Sequence, residues 1–515
     1  MNIVGIGGVL GNSAAVVIKD GTLAAAIEEA KADRRAQAGK LPEAAIAACL
    51  EIAGLKPAEI QYVAVARPVP PGPGLPVALR MFPNARIILV DHHEAHAASA
   101  FFASPFDSAT VIALDRAGDV RCGSRWRGEG NKLTHEEEIL YPDSIAELYG
   151  RFTELLGYHA RGDEHRAQWL AASGEPRFLQ TFAAAIHGTA IDDSYFDTGR
   201  LGHGGFGTKF FTEAGLPQDA TLTAQDRADL AASMQKTLEA YVTAFSAGAK
   251  RICLSGGIGW NALLVESLER AGIEVFAQPA AGNAGTALGA ALYVWHEMLG
   301  NTARVEAGNY CLGPEYSAAD IKQVFENCKL RFHLIGTVTG IIDETVARLC
   351  ENRIVAWMQG RMEFGPRALG NRSILASPQD PYSAENLNTF IKHREGSRKF
   401  AASVPAELAA KYFEVGPNAR YLSTVGRVRP EFASQLRTAI LAKDLVRVHT
   451  VSEADNPLYW KLLHAFGEKT GLPVLYNTSF NLFGEPLVCT PRDAVRSFYS
   501  SGIDAMVAGN FLLEK

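Results

Sequence analysis

Apolar positions along the first three hundred residues follow two alternating rhythms. Short aliphatic runs have the length of strands: Met1 to Gly7, AAVVI from Ala14, IQYVAVA from Ile60, ARIILVD from Ala85 and ATVIALD ending at Asp115. IQYVAVA and ARIILVD are expected to be buried. Between the runs, Glu43 to Gly54 shows helical spacing and HEAHAASAFFAS, from His93, reads as a small-residue helix. RICLSGGIGWNALLVESLERAG, from Arg251, predicts strand, glycine loop and helix. GNAGTALGAALYVWHEM, from Gly282, predicts a second glycine turn opening a helix. Alternation of this kind argues an α/β architecture.

NYCLGPEYS, Asn309 to Ser317, combines a Gly-Pro break with the start of a fresh helix, AADIKQVFENC. It divides the chain into residues 1–310 and a second α/β part, residues 311–515. The second part contains KHREGSRKFAASV (Lys392 to Val404), DLVRVHTV and LYNTSFNLFGEPLVCTP. No short repeat or low-complexity tract appears, and the Gly- and Asp-rich stretch from Thr189 to Gln225 stays unassigned.

Composition narrows the function classes. A chain of 515 residues exceeds one core. With 47% apolar and 21% charged residues, a formal net charge of -6 and no block of like charge, it does not read as a nucleic-acid or membrane-surface binder. No apolar run has the length of a membrane span. The N-terminus has no basic n-region and reads as a first strand. The seven cysteines are scattered without a CxxC pair, which is expected of buried thiols in a reducing cytoplasm.

The richest chemistry lies in GRMEFGPRALGNRSI, Gly360 to Ile374. Arg361, Arg367 and Arg372, with Arg353 ahead of the preceding strand, surround a Gly-Pro turn and Glu363. Guanidinium forks bind phosphate oxygens in pairs, so this predicts an anion site at a strand end. The alternative is a surface salt-bridge cluster. Lys392, Arg394, Arg398 and Arg447 add positive charge, enough for a triphosphate and a second phosphorylated ligand. Asn477, in NTSFN, offers a donor and an acceptor to a carboxamide or planar carbonyl; a turn or cap role is the alternative.

In DHHEAHAAS, His92 and His96 lie four apart and share one helix face, while His93 points elsewhere. Asp115, at the end of its strand, completes a two-His, one-carboxylate set suited to iron, manganese or zinc. In SGGIGWN, Gly256 and Gly257 free the backbone to approach a phosphate or adenosine, and Asn261 is in reach of a ribose or base. Tight strand–helix packing is the alternative use of such glycines. With GIGG and GNAGTALG, these turns resemble the nucleotide cleft of the actin/sugar-kinase/heat-shock-ATPase superfamily. HARGDEHR, His159 to Arg166, reads as a loop facing solvent or substrate, with a second metal cluster as the alternative; LGHGGFG, Leu201 to Gly207, reads as a mobile loop, with a catalytic motif as the alternative.

Taken in order, DHHEAHAASAFFASPF, LSGGIGWN, GRMEFGPRALGNRSILASP, NTSFN and GEPLVCTP resemble the NodU/CmcH family of carbamoyltransferases over nearly the whole chain. The resemblance implies an actin-fold transfer domain, similar to the tRNA threonylcarbamoyl-transfer proteins, followed by a YrdC-like domain. The YrdC-like domain would join carbamoyl phosphate and ATP, with its Mg, into carbamoyl-adenylate. The actin-fold domain would move the carbamoyl group to a small-molecule hydroxyl or amine, in natural-product biosynthesis and in the cytoplasm. By motif, Arg367, Lys392, Arg398, Arg447 and Asn477 would hold ATP and carbamoyl phosphate. His92, His96 and Asp115 would hold a divalent metal that polarises the adenylate. A homodimer stays open.

Three departures fall in the N-terminal part. The first-strand turn carries Gly11 and Asn12 where the family has a His-Asp pair; loss of a general base removes roughly 10²–10⁴-fold in rate. Asn283 stands where the family has Asp as a fourth metal ligand. GDEHRAQW replaces a GE-x-K-x-MG pattern, keeping Glu164 with Arg166 for Lys. Three functions fit: a carbamoyltransferase with an unusual acceptor, an ATP-dependent acyl-adenylating enzyme with altered transfer chemistry, or a nucleotide-binding partner without catalysis.

Overall fold

The computed structural model describes every residue except 36–37, 73, 198, 200–201, 219–220, 306–307 and 397. Two five-stranded sheets form the N-terminal part. The first contains β1 (Asn2–Gly7), β2 (Ala14–Lys19), β3 (Thr22–Glu28), β4 (Tyr62–Ala66) and β5 (Arg86–Val90), in the order β3-β2-β1-β4-β5. A hairpin of β9 (Ile186–His187) and β10 (Ala190–Ile191) precedes completion of the second. That sheet contains β6 (Ser108–Gly118), β7 (Arg121–Glu129), β8 (Lys132–Leu140), β11 (Arg251–Ser255) and β12 (Glu274–Ala277), in the order β12-β11-β6-β7-β8. In both, the first three strands form an antiparallel meander and two parallel strands join its first strand. This duplicated layout is the actin/sugar-kinase/heat-shock-ATPase architecture. Parallel neighbours need long crossovers, which is why helices alternate with strands in the sequence.

The glycines expected to cradle a nucleotide mostly serve this packing. A Cβ on Gly5 would lie 2.1 Å from the Ala287 carbonyl oxygen, and one on Gly289 only 1.7 Å from that of Ala95. Thus the helix Gly285–Tyr293 lies against both β1 and the helix His92–Phe101. Gly256 has a positive φ of 78°, and a Cβ there would meet the Leu114 carbonyl oxygen at 2.1 Å. Its smallness lets β11 and β6 converge.

The C-terminal part is built on a ten-stranded mixed sheet. Its strands are β13 (His333–Leu334), β14 (Val355–Met358), β15 (Arg372–Ala376), β16 (Ala401–Pro405), β17 (Phe413–Glu414), β18 (Val425–Val428), β19 (Leu445–Val451), β20 (Leu475–Ser479), β21 (Ala505–Ala508) and β22 (Phe511–Glu514). They run β13-β22-β21-β14-β15-β20-β16-β19-β18-β17. The segment Asn309 to Ser317 is not a loose tether. Backbone bonds tie Leu312 to Ala26 and tie Tyr310, Gly313 and Pro314 to the arginine loop. Lys31 donates to the Glu363 and Gly365 carbonyls at 2.9 and 2.7 Å, and the Gly365 N–H donates to Glu28 at 2.8 Å. The loop is therefore clamped to the end of β3.

Several expectations need correction. ARIILVD forms β5, but this edge strand is not buried: Ile87 is 40% and Leu89 56% exposed. Cys328 and Cys350 are exposed and the other five cysteines buried; none of them forms a disulfide. Much of the unassigned stretch joins the second sheet's core through Tyr195, Phe206 and Phe210. Leu201 of LGHGGFG lies outside the described residues. Among the described residues no helix is long and apolar enough to cross a membrane.

Candidate active site

Asp91 caps the helix His92–Phe101 by accepting the His93 N–H at 3.2 Å, so the first turn begins at a defined place. His92 and His96 then share a face, and the end of β6 brings Asp115 beneath them. Both Nε2 atoms face Asp115 Oδ2, at 3.2 Å from His92 and 3.3 Å from His96. These ligand atoms lie within 4.8 Å of one another. His92 Nδ1 donates to the Arg67 carbonyl at 2.9 Å, so in a neutral ring Nε2 is a bare lone pair pointing at a carboxylate. A proton or a cation must separate two such acceptors. Burial works against protonation of His92, yet the hydrogen bond and charge of Asp115 outweigh it and raise its pKa. For His96 burial wins and the pKa falls. Asp115 is pushed up by burial, but the two imidazole bonds hold it well below the usual carboxylate range. The donor set, two imidazoles and one carboxylate with one ring held by a backbone carbonyl, fits a divalent metal.

Gly118 secures this geometry, because a Cβ there would collide with His92 Cδ2 at 1.9 Å. His93 turns away and bonds Ser124 Oγ at 2.9 Å, in a structural role. Asn283 does not join the triad: its side-chain N–H donates to the Gly11 carbonyl at 3.3 Å.

A cavity of about 470 Å³ runs from this triad to the arginine loop. Its walls include Asp115, Gly257, Asn261, Glu164, His165 and Arg367. Behind it the positive side chains converge. Burial, then Arg398, lower Arg367 to about 10. Burial, then Arg398, lower Arg394 to about 9. Burial, then Arg367, Arg394 and Arg398, hold Arg447 far down, and burial with Arg394 and Arg398 does the same to Lys392. Guanidiniums remain protonated in proteins. The lowered values therefore register burial first and then positive charges crowded together. Among the described residues the side chains of Arg367, Arg398 and Arg447 have no hydrogen bond or ion pair. His165, from HARGDEHR, is lowered to about 4 by burial and then by Arg398 and Arg367. Its Glu164 to Arg166 begin the helix Glu164–Ala171 instead of a loop, and His165 shares the cavity wall with Arg367.

Other expected anion ligands are engaged with groups of the protein itself. Arg353 pairs at the surface with Glu514 at 2.8 Å. Arg361 donates to the carbonyls of Ala24 and Gly313, at 2.8 and 3.2 Å, and to that of Leu312. Arg372 is 1% exposed and donates to the carbonyls of Gln359, Gly360, Asn371 and Pro314. Buried donors need acceptors, and these carbonyls engage most of the N–H groups of the two guanidiniums, although Arg372 Nε has no partner. Glu363 accepts the N–H groups of Leu369, Asn371 and Arg372 on one oxygen and so shapes the turn. Asn261 caps the helix Ala262–Arg270 and exchanges side-chain bonds with Gln235 at 2.9 and 3.1 Å. Lys392 bonds Ser479 and Asn481 through its ammonium. It touches the cluster by charge while holding the NTSFN turn.

Asn477 is 2% exposed; its N–H donates to the Ala368 carbonyl at 3.0 Å and its Oδ1 has no partner. Next to it lies a residue missed in the sequence, His449, whose Nδ1 is 3.3 Å from Asn477 and 2.9 Å from Ser403 Oγ. The period-two rhythm of DLVRVHTV puts Arg447 and His449 on one face of β19, a usable signal. Trp169, beneath Arg447, gave none.

Family comparison agrees with this layout. Residues 78–292 match the carbamoyltransferase N-terminus model and residues 346–515 the carbamoyltransferase C-terminus model. The chain belongs to the carbamoyltransferase family. It is 31% identical to nodulation protein NolNO of Sinorhizobium fredii, over 98% of this chain and 79% of that protein. An uncharacterized Synechocystis protein, sll1178, is 33% identical over 100% of this chain and 97% of its own length. The 3'-hydroxymethylcephem-O-carbamoyltransferase of Amycolatopsis lactamdurans is 40% identical over 33% of this chain and 32% of its own. The matched family segments contain both the triad and the cationic cluster.

Proposed function

We propose that this transferase converts ATP, carbamoyl phosphate and water into carbamoyl-adenylate in its C-terminal part, with phosphate and pyrophosphate as leaving groups. The carbamoyl group then passes to a small-molecule hydroxyl or amine at the cavity beside Asp115, and AMP leaves. The observation that carries this reading is the set of unpaired guanidiniums, Arg367, Arg398 and Arg447, gathered where two mutually repulsive anions would have to meet. Offsetting that repulsion lowers the barrier to encounter, and fixed forks orient the phosphates. The open Asn477 Oδ1 suits the N–H of a carbamoyl group. His92, His96 and Asp115 would hold a divalent metal, which supplies Lewis acidity to the transfer site when bound. Arg367 lines the same cavity as Asp115, so product of the first half need travel little.

The test is carbamoyl-phosphate-dependent ATP consumption. Arg367→Ala should lower it by roughly 10²–10³-fold, the scale of removing one preorganised charge-stabilising donor. An unchanged rate would sink the assignment. Because the Asn283 amide is engaged with Gly11 rather than the triad, altered transfer chemistry is the second reading. Product masses with hydroxyl and amine acceptors separate the two.

A further inference from the structure

The anion pocket of the C-terminal part is not self-sufficient. The helix Glu164–Ala171, which belongs to the N-terminal part, runs along its rim. Its Trp169 ring lies under the Arg447 guanidinium, 5.3 Å from carbon to ring centroid. That aromatic face is what the structure offers Arg447 in place of a hydrogen bond or carboxylate. Arg166, one turn earlier on the same helix, meets Glu395 beside the cluster and stacks on Tyr158 at 4.1 Å. The helix is thus docked on the cationic segment through Arg166 and Trp169.

An arginine in this setting has a particular difficulty. Arg367, Arg394 and Arg398 all repel Arg447, and a long side chain without a partner takes many rotamers. Repulsion alone would swing it outward, away from an incoming phosphate. A carboxylate would hold it, but would also neutralise the charge that the site needs. An aromatic face holds the cation through its quadrupole and leaves the net charge intact. All five guanidinium N–H donors then remain available to a phosphate, apart from the face covered by the ring.

From this geometry we infer that Trp169 is a positioning residue. It holds Arg447 ready for the phosphates, so the transfer half completes the anion site of the adenylating half. The inference rests on the proposed function and deepens it. It further implies that phosphate binding responds to the seating of the helix Glu164–Ala171, whose other residues Glu164, His165 and Gln168 line the transfer cavity.

The experiment compares ATP and carbamoyl-phosphate binding, by calorimetry, in the full chain and two variants. Trp169→Leu keeps an apolar side chain and removes the π face; Trp169→Phe keeps a π face. Trp169→Leu should weaken binding about tenfold, the fold-change expected of a partly desolvated cation–π contact, with the KM for carbamoyl phosphate rising in step and kcat nearly unchanged. Trp169→Phe should recover most of the loss. Equal affinity of Trp169→Leu and the unaltered protein would overturn the inference, as would a Phe variant as weak as the Leu one. If the unaltered protein binds neither ATP nor carbamoyl phosphate, the proposed function itself fails. Thermal unfolding of each variant separates a lost contact from a lost fold.

Discussion

The two chemical centres of this protein are opposites in charge balance. The triad on the N-terminal side gathers one carboxylate and two imidazoles whose Nε2 atoms both face Asp115 Oδ2. The cluster on the C-terminal side gathers guanidiniums that, among the described residues, no direct ion pair relieves. One centre therefore calls for a cation, the other for an anion. Histidines differ accordingly: Asp115 outweighs burial and raises His92, whereas burial, then Arg398 and Arg367, lower His165 to about 4. A folded protein tolerates such unbalanced charge where a ligand completes it. The lesson is that function shows best where pairing fails. Arg361 and Arg372 sit in the same motif as Arg367, yet the backbone carbonyls they donate to mark them as braces of the loop.

The largest expected effect breaks the N-terminal centre alone. Asp115→Asn replaces the only anionic ligand by a neutral one. Metal content after equilibration should fall by more than the roughly 10–100-fold typical of losing a supporting group around a metal. Binding of ATP should survive, because the cationic cluster keeps its charges. Metal retained at the unaltered level would reduce the triad to a structural hydrogen-bond network.

A second effect sharpens the comparison from the C-terminal side. His449 is buried, which lowers its pKa from 6.5 to about 4 although Asp455 opposes the shift. The folded pKa lies below the unfolded one, so unfolding takes up a proton in acid. The stability that neutral His449 supports is complete above pH 6.5 and is lost as the pH falls toward about 4. Within that window the slope approaches about 1.4 kcal/mol per pH unit. Denaturant unfolding of the unaltered protein and of His449→Gln should differ by that slope. Parallel stability curves would mean that His449 is charged when folded.

The smallest effect is a gain. Asn283→Asp gives up the amide bond to Gly11 and offers a carboxylate near the first-strand turn. Metal affinity should rise by about tenfold if the new oxygen reaches the triad, within the range known for groups that support a metal site. Titration with a chelator would show it. No change would indicate that the Gly11 turn and Asn283 have drawn together away from the metal.

Much of this was legible in the chain because local pattern governs it. Strand-length apolar runs alternating with helical ones reveal parallel crossovers, and the four-residue spacing of His92 and His96 is a property of the helix alone. The arginine motif signalled an anion site, but not which arginines serve it. Arg361, Arg367 and Arg372 are equivalent in sequence and are separated only by which of them finds carbonyls within reach. That is settled by the clamp between β3 and the loop, through Glu28 and Lys31, residues more than 300 positions away. The glycine turns were legible as close approaches, but whether a ligand or a neighbouring helix makes the approach depended on the packing of Gly289 on Ala95.

By itself the sequence determined the alternating architecture, the family and the chemical types of the two centres, since periodicity and residue chemistry act over a few positions. The tertiary structure alone decided which cations stay unpaired, that Asn283 turns to Gly11, and that Trp169 meets Arg447. Those outcomes depend on distances between segments remote in the chain, and only packing sets such distances.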